Sequence, residues 1–157
     1  PFEDSIPEAL QLMVEAEQNT LIQHELGEMA ISADYAQRWS DMILRIMGSK
    51  AELQARAVRD HLADCLYTLP FLIRQGNEAS LHFFFANLTF MRKELFPSIM
   101  TAYLQWVDTG RTAQLMDMAR KGALHWEKIL RLILTINAHS KNDPAAEISA
   151  QIELSRF

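Results

Sequence analysis

The residues of this sequence best suited to chemistry are its five histidines, His24, His61, His82, His125 and His139. A carboxylate-bridged di-metal bundle needs the tetrapeptide Glu-x-x-His on two helices, and the sequence does not contain it. His24 and Glu28 stand four residues apart and so share one face of a helix. One such pair is a weak ion site, and we interpret it as a solvated charge pair and predict no metal.

His61 and Cys65 also stand one helical turn apart, each directly preceded by an aspartate, Asp60 and Asp64. The pair could supply two zinc ligands, whereas a usable site needs three or four. It could also supply a thiolate and its base, but no motif identifies oxyanion donors, a Gly-rich phosphate loop, paired catalytic acids or a Ser/His/Asp spacing. We favour a core role for Cys65, with His61 at the edge of the core, and predict neither an enzyme nor catalytic residues.

The remaining histidines are predicted to be structural. His125 lies within an apolar stripe, where a neutral imidazole must find a hydrogen-bond partner. We predict a satisfied core or interface histidine there, with a ligand or a pH switch as the alternative. His82 is one turn from Glu78 and is predicted to be partly exposed.

The apolar content leaves room for a ligand pocket, since the chain contains 8 Met, 8 Phe and 3 Trp. Such residues at helical spacing are usually core, and this is the interpretation we favour. Methionine-rich packing is adaptable, so the alternative is a pocket for a small apolar ligand. The candidate lining residues are Tyr35, Trp39, His61, Cys65, Tyr67 and His82.

Composition narrows the choice of partner and compartment. The net charge is -5 and the 15 Lys and Arg are scattered, whereas a nucleic-acid binder needs a basic face. No apolar run approaches the roughly 20 residues of a membrane span. A single cysteine and no recognisable signal peptide favour a cytoplasmic protein. We therefore expect no nucleic-acid partner and no membrane span.

Helical periodicity runs through almost the whole chain, and alternation typical of strands does not. We predict an all-α helical bundle of six to seven helices. Gly27, Gly48 and the Asp108-Thr109-Gly110 turn are expected to end helices, and Pro70 is expected to bend or end one. Ser49 with Glu52 is typical of a capping box. The predicted helices cover about residues 5–26, 32–48, 49–70, 78–96, 97–110 and 111–138, with a further helix after Asp143.

The helices predicted at 78–96 and 111–138 are apolar on two sides, which favours burial between two chains. We therefore predict a homodimer that pairs these helices. The predicted interface consists of Leu81, Phe84, Leu88, Met91, Leu95, Leu115, Met118, Gly122, His125, Ile129, Leu132 and Ile136.

The chain is predicted to divide after residue 139. Residues 1–139 form the helical domain, and polar residues with Pro144 open a segment, 140–157, whose Ile148 and Ile152 fit a helix. We predict that this linker helix leads toward a downstream domain.

The segment from Gly76 to Leu134 resembles the last two helices of the sensor globins at the front of bacterial signalling proteins, including globin-coupled sensors and haem-free stressosome domains. The resemblance rests on Gly76, on the helix that closes with Met91-Arg92-Lys93-Glu94-Leu95-Phe96-Pro97, and on Trp126-Glu127-Lys128-Ile129-Leu130. It implies a globin-like fold in which these two helices build the dimer. Haem-binding members carry a proximal histidine just before the glycine, and residues 70–75 contain none. Haem is therefore disfavoured, and we predict no cofactor.

Taken with the resemblance, the sequence favours an N-terminal sensory or regulatory domain that dimerises and relays a ligand or partner signal to an output domain. One alternative is a stand-alone helical adaptor or chaperone that binds a partner helix in a Phe-rich groove. Another is a haem- or metal-binding helical protein that uses His61 or His82.

Overall fold

The computed structural model describes residues 6–157, the side chains of Ala16 and Asp34 excepted. These residues form eight α-helices and one π-helical turn, and the all-α class is confirmed. The likeness to a globin fold stays a prediction. The predicted start of the first helix at Ser5 lies outside the described residues. The elements are α1 (Ile6–Ile46), α2 (Lys50–Ala63), a π turn (Asp64–Thr68), α3 (Leu69–Gln75), α4 (Glu78–Asn87), α5 (Phe90–Leu95), α6 (Pro97–Thr109), α7 (Thr112–His139) and α8 (Ala145–Leu154).

Helix α1 is a single rod of 41 residues, about 60 Å long at 1.5 Å per residue. The predicted break at Gly27 is wrong, because Gly27 serves close packing and not termination. A Cβ atom at Gly27 would lie 3.0 Å from the Cβ of Ala63 and 3.1 Å from a ring carbon of Tyr67. The glycine therefore lets α1 cross closely over the junction of α2 and the π turn.

The helix that begins at Lys50 is interrupted before Pro70, the residue predicted to bend or end it. It widens into the π turn, where the Leu69 N–H donates to the Asp64 carbonyl five residues back. Pro70, which has no N–H to donate, then falls in the first turn of α3, and the chain continues to Gly76, whose φ of 66° ends that helix. Single π-helical turns within α-helices are frequently found at functional sites. In this chain the π turn begins at Asp64.

The helix predicted over 78–96 is broken in two. Leu88 has an extended ψ of 126°, and the Thr89 hydroxyl accepts a hydrogen bond from the Arg92 N–H as the cap of α5. Threonine competes well as a cap because its hydroxyl can replace the missing intrahelical acceptor. The break turns α5 so that the Arg92 side chain reaches toward the π turn.

Helix α7 lies at the centre of the core, with Trp126, Leu130 and Ile133 fully enclosed. It ends at His139, where the division of the chain was predicted. Helix α8 packs on α2 and α7, and both Ile148 and Ile152 are completely buried. The predicted helix after Asp143 is thus present and belongs to the same core, while its role as a link to a downstream domain stays a prediction.

The turn between α7 and α8 is held by Arg45, near the end of α1. Its guanidinium donates to the carbonyl oxygen of Asn137 at 2.6 Å, of Ser140 at 3.0 Å and of Asn142 at 2.5 Å. The C-terminus of α7 therefore has a cation on its free carbonyls, which is where a helix dipole favours one.

Half of the residues assigned to a dimer seam form core within one chain. Because Leu81, Leu88, Leu95, Leu115, Gly122 and Ile129 are buried in a single subunit, they offer almost no surface to a second one. The prediction is corrected for these six. The two-sided pattern of α7 is met by packing against α2, α6 and α8, whereas the second stripe of the helix predicted over 78–96 stays in solvent, with Phe83 40% and Phe90 82% exposed. A homodimer stays a prediction and would need another face. The other six residues, all half-buried, are Phe84, Met91, Met118, His125, Leu132 and Ile136.

Within residues 6–157, none of the helices combines the length and apolarity that crossing a bilayer requires.

Gly122 on α7 generates a stability prediction. A Cβ atom there would lie 2.6 Å from a ring carbon of Phe96 and 2.7 Å from the Cys65 sulfur. We expect Gly122→Ala to lower the free energy of unfolding by about 1–3 kcal/mol through overpacking, measured by urea denaturation. Leu124→Ala on the exposed face of the same helix is the matched control, and equal stability of the two variants would contradict the prediction.

Candidate functional site

A cluster of charged side chains lies between α1, the end of α2 and α5. At its centre the Asp64 carboxylate, 2% exposed, accepts from His24 Nδ1 at 2.8 Å and forms an ion pair with the Arg92 guanidinium. His24 Nε2 lies 3.1 Å from a Glu28 oxygen. Glu28 in turn pairs with Arg59 at 2.6 Å.

Helical spacing assembles the cluster from both sides. His24 and Glu28 are four residues apart on α1, and Asp60 and Asp64 are four apart at the end of α2. Residues at this spacing lie on one helix face, and the close crossing of the two helices turns the faces toward each other. Arg92 arrives from the first turns of α5, beyond the break at Leu88.

The central carboxylate remains ionised because of its neighbours. Burial acts to raise the pKa of Asp64, but Arg92 and His24 together hold it below its ordinary value. The hydrogen bond to Asp64 raises the pKa of His24, against the opposing effect of burial. The Asp64 carboxylate therefore favours the charged form of this imidazole, compared with a free histidine.

Asp60 has the opposite electrostatic environment. Burial raises the pKa of its carboxyl to about 6, against Arg92, and the adjacent Glu28 carboxylate adds to the rise. Arg59 Nη2 lies 3.7 Å from its carboxylate, a longer contact than its 2.6 Å bond to Glu28. Asp60 is thus a half-buried acid whose proton is exchanged close to neutral pH.

One oxygen or nitrogen from each of His24, Glu28 and Asp60 lies within 4.8 Å of the others, close enough for the three to share a cation. The carboxylates around this position, however, already have positively charged arginine side chains as partners. Arg59 and Arg92 pair with Glu28 and Asp64, and both nitrogens of His24 already contact these two carboxylates. A divalent ion would leave a surplus of positive charge in a partly desolvated place, so the residues fit an ion-pair network better than a metal centre.

The structure places His61 and Cys65 in the core. His61 is 2% exposed, and its Nε2–H donates to the Arg92 carbonyl at 3.0 Å. Burial lowers the pKa of His61 to about 3, and it raises that of the Cys65 thiol well above its usual value. The core role of Cys65 is confirmed, because its side chain is buried. The prediction of His61 at the edge of the core is wrong, because its ring is enclosed between Phe96 and Trp126.

Two of the six predicted pocket residues, His61 and Cys65, line one cavity together. The cavity beside His61 and Cys65 measures only about 10 Å³. Trp39 lies under the Arg59 guanidinium at 5.2 Å, and Tyr35 lies 5.8 Å from that of Arg131. Tyr67 contacts the helix crossing at Gly27.

His82 and His125 both have partners. His82 is exposed, and its Nδ1 lies 2.7 Å from the Tyr103 hydroxyl. His125 Nε2–H donates to the Ser155 carbonyl at 2.7 Å, and its ring stacks on Phe157 with centroids 4.5 Å apart. The prediction of a satisfied histidine at position 125 is confirmed, and burial lowers its pKa.

An apolar groove runs between the first half of α1 and α4. Its volume is about 420 Å³, and its apolar lining comes from Met13, Val14, Leu21 and Phe83. The buried Glu17 carboxylate fixes the floor, because it accepts a hydrogen bond of 2.7 Å from the Ser80 hydroxyl of α4.

The groove continues inward to the charged cluster. A second cavity of about 210 Å³ shares Leu21 and Phe83 with the groove and reaches His24, Asp64 and Arg92. An apolar concave surface with a few convergent polar groups is the usual form of a binding site in a protein. We take the groove and the cluster together as the candidate functional site.

The charged cluster generates a prediction about the free energy of unfolding when a buried ion loses its partner. Asp64→Asn leaves Arg92, 15% exposed, without its counter-charge. We expect the free energy of unfolding to fall by about 3 kcal/mol, measured by chemical denaturation at pH 7. Asp117→Asn, which removes an exposed pair with Lys121, is the matched control and should change stability by less than about 0.5 kcal/mol. A loss as small as that of the control would contradict a central role for Asp64.

The raised pKa of Asp60 predicts a pH dependence. Between its unfolded value of 3.8 and about 6 the native carboxyl binds more protons than the unfolded one, so this group lowers stability as the pH rises through that window. We expect Asp60→Asn to exceed the wild type by about 3 kcal/mol at pH 8, and the gain to vanish near pH 4, at about 1.4 kcal/mol per pKa unit. Thermal unfolding across this pH range measures it. Asp108→Asn is the control, and a gain that does not depend on pH would refute the prediction.

Comparison with known proteins places the chain in one family. No curated protein and no solved structure matches it. A family model described as the C-terminal domain of a family of unknown function (DUF6866) matches residues 1–155. That description speaks of a C-terminal domain, whereas the sequence favours an N-terminal module, and the likeness to sensor globins stays a prediction. Since the match covers nearly the whole chain, the protein belongs to the family of DUF6866 C-terminal domains.

Proposed function

We propose that this domain is a non-catalytic helical binding domain that takes up a helix of a protein partner in the groove between α1 and α4. The observation that carries the proposal is the exposure of the first half of α1. Nine large apolar side chains between Ile6 and Met29 each leave 44% to 66% of their surface in solvent. They are Ile6, Leu10, Leu12, Met13, Val14, Leu21, Ile22, Leu26 and Met29.

These side chains are not scattered. Leu10, Met13 and Val14 follow helical spacing toward the groove, while Ile22, Leu26 and Met29 follow it along a neighbouring face. A helix that is apolar on more than one side is normally buried, and contiguous apolar surface of this extent typically marks a binding site. Phe83 adds to the same surface from α4, at 40% exposed.

The chemistry of the polar groups supports binding over catalysis. His61 and Cys65 are enclosed and uncharged, and the carboxylates of the cluster are offset by Arg59, Arg92 and His24. Such groups stabilise a packing arrangement well, and they leave little nucleophilic or acid-base capacity directed into the groove.

A regulatory role follows if docking shifts α1. The groove and the cluster share this helix, so a partner that moves its first half also moves His24 and Glu28 against Asp64. Packed interfaces of this kind change between discrete arrangements, which gives partner binding a way to alter the rest of the fold. Relay of a signal, with or without homodimerisation, is part of this proposal.

The proposal is tested with a labelled helical peptide that has a leucine stripe and glutamine on its other faces. We expect the wild type to bind it, and Leu21→Ser with Phe83→Ser to weaken binding at least about tenfold, because two apolar contacts are lost. Fluorescence anisotropy measures the affinity.

Leu44→Ser with Leu124→Ser is the matched control, since these two leucines are 67% and 73% exposed on other parts of the surface. The control should bind like the wild type. Undiminished binding by the groove variant, or no binding by the wild type, would refute the proposed function.

A further inference from the structure

We infer that the partner that docks on the first half of α1 presents a basic amphipathic helix, with lysine or arginine flanking an apolar stripe. This inference rests on the proposed function and adds the charge of the partner. It is drawn from the distribution of charge along the chain together with the exposure of α1.

The first 37 residues contain no lysine or arginine, and all 15 basic residues of the chain follow from Arg38 onward. Three glutamates on the described part of this segment, Glu8, Glu15 and Glu25, are exposed on α1. Glu78 is exposed at the start of α4. The apolar surface is therefore flanked by negative charge, with little positive charge of its own chain nearby.

Two guanidinium groups close to this surface are already paired. Arg59 bonds Glu28, and Arg92 pairs with Asp64 inside the cluster. Neither guanidinium compensates the exposed glutamates of α1. Complementary charge on a partner steers the encounter and disfavours partners of the wrong sign, so the missing cations are expected on the incoming helix.

The dimensions of the surface fit a helix. Residues 6–29 extend over about 36 Å at 1.5 Å per residue, long enough for a partner helix of about 20 residues to lie alongside. The groove of about 420 Å³ receives apolar side chains from one stripe of that helix, and the exposed Glu15 and Glu25 of α1 supply negative charge on the same helix. This is the helix-in-groove form of recognition.

The same charge disfavours two other occupants. A second copy that paired its α1 with this one would bring like charges together along both helices. A membrane surface with anionic headgroups would repel Glu8, Glu15 and Glu25, whereas helices that bind such surfaces carry Lys and Arg.

The test compares three peptides that share one leucine stripe and carry lysine, glutamine or glutamate on the flanks. We expect the lysine peptide to bind about tenfold more tightly than the glutamine peptide, because three exposed ion pairs together supply about that gain in affinity. The glutamate peptide should bind most weakly. The preference should decline as salt is raised, since these charges are exposed.

The matched variants separate charge from apolar contact. Glu8→Gln, Glu15→Gln and Glu25→Gln together should abolish the preference for lysine and leave the glutamine peptide bound as before. Asp41→Asn, Asp108→Asn and Glu147→Gln remove three exposed carboxylates elsewhere and should retain the preference.

Equal binding of the three peptides would overturn this inference and leave the proposed function standing, because the glutamine peptide still reports on the groove. If the glutamine peptide binds the Leu21→Ser and Phe83→Ser variant as tightly as the wild type, the proposed function is refuted instead. Sedimentation that shows a dimer lost in the Leu21→Ser and Phe83→Ser variant would assign the surface to a second copy. Binding of phosphatidylglycerol vesicles lost in that variant would assign it to a membrane. Either result would overturn the inference.

Discussion

A single buried carboxylate, that of Asp64, ties together parts of the chain that are far apart in sequence. Its ion pair with Arg92 holds α5, and its hydrogen bond with His24 holds α1. Leaving such a carboxylate without cations in the interior would cost several kcal/mol, so both partners must be in place when the fold is complete. The position of α1, and with it the groove, depends on this arrangement.

The cluster and the groove combine two properties that seldom suit the same purpose. The cluster is nearly neutral as a whole and strongly held, which favours a fixed arrangement of helices. The groove lies directly outside it and is apolar, open and flanked by glutamates. A rigid interior beside an unsatisfied surface is the pattern expected of a domain whose work is to present a binding face, since preorganisation lowers the cost of association.

The sequence predicted local features well and long-range ones poorly. Helices α6 and α7 lie where periodicity placed them, and Ser49 caps α2 as expected, although Glu52 bonds the Gly48 N–H. The continuity of α1 could not be foreseen, because Gly27 is explained by its contact with Ala63, a residue 36 positions later. The partners of Asp64 lie 40 and 28 residues away, and no local pattern links them. The apolar stripes of α4 and α7 were recognised, but whether one chain or two enclose them depends on packing that periodicity does not specify.

The unbroken length of α1 has a mechanical consequence. The helix crosses Ala63 closely at Gly27, about midway along the rod, and beyond the crossing Trp39, Met42 and Ile46 are buried in the core. Near its far end the Arg45 guanidinium bonds the carbonyls at and just after the end of α7. A stiff helix anchored in this way connects its apolar first half to the C-terminus of α7 without an intervening loop or hinge.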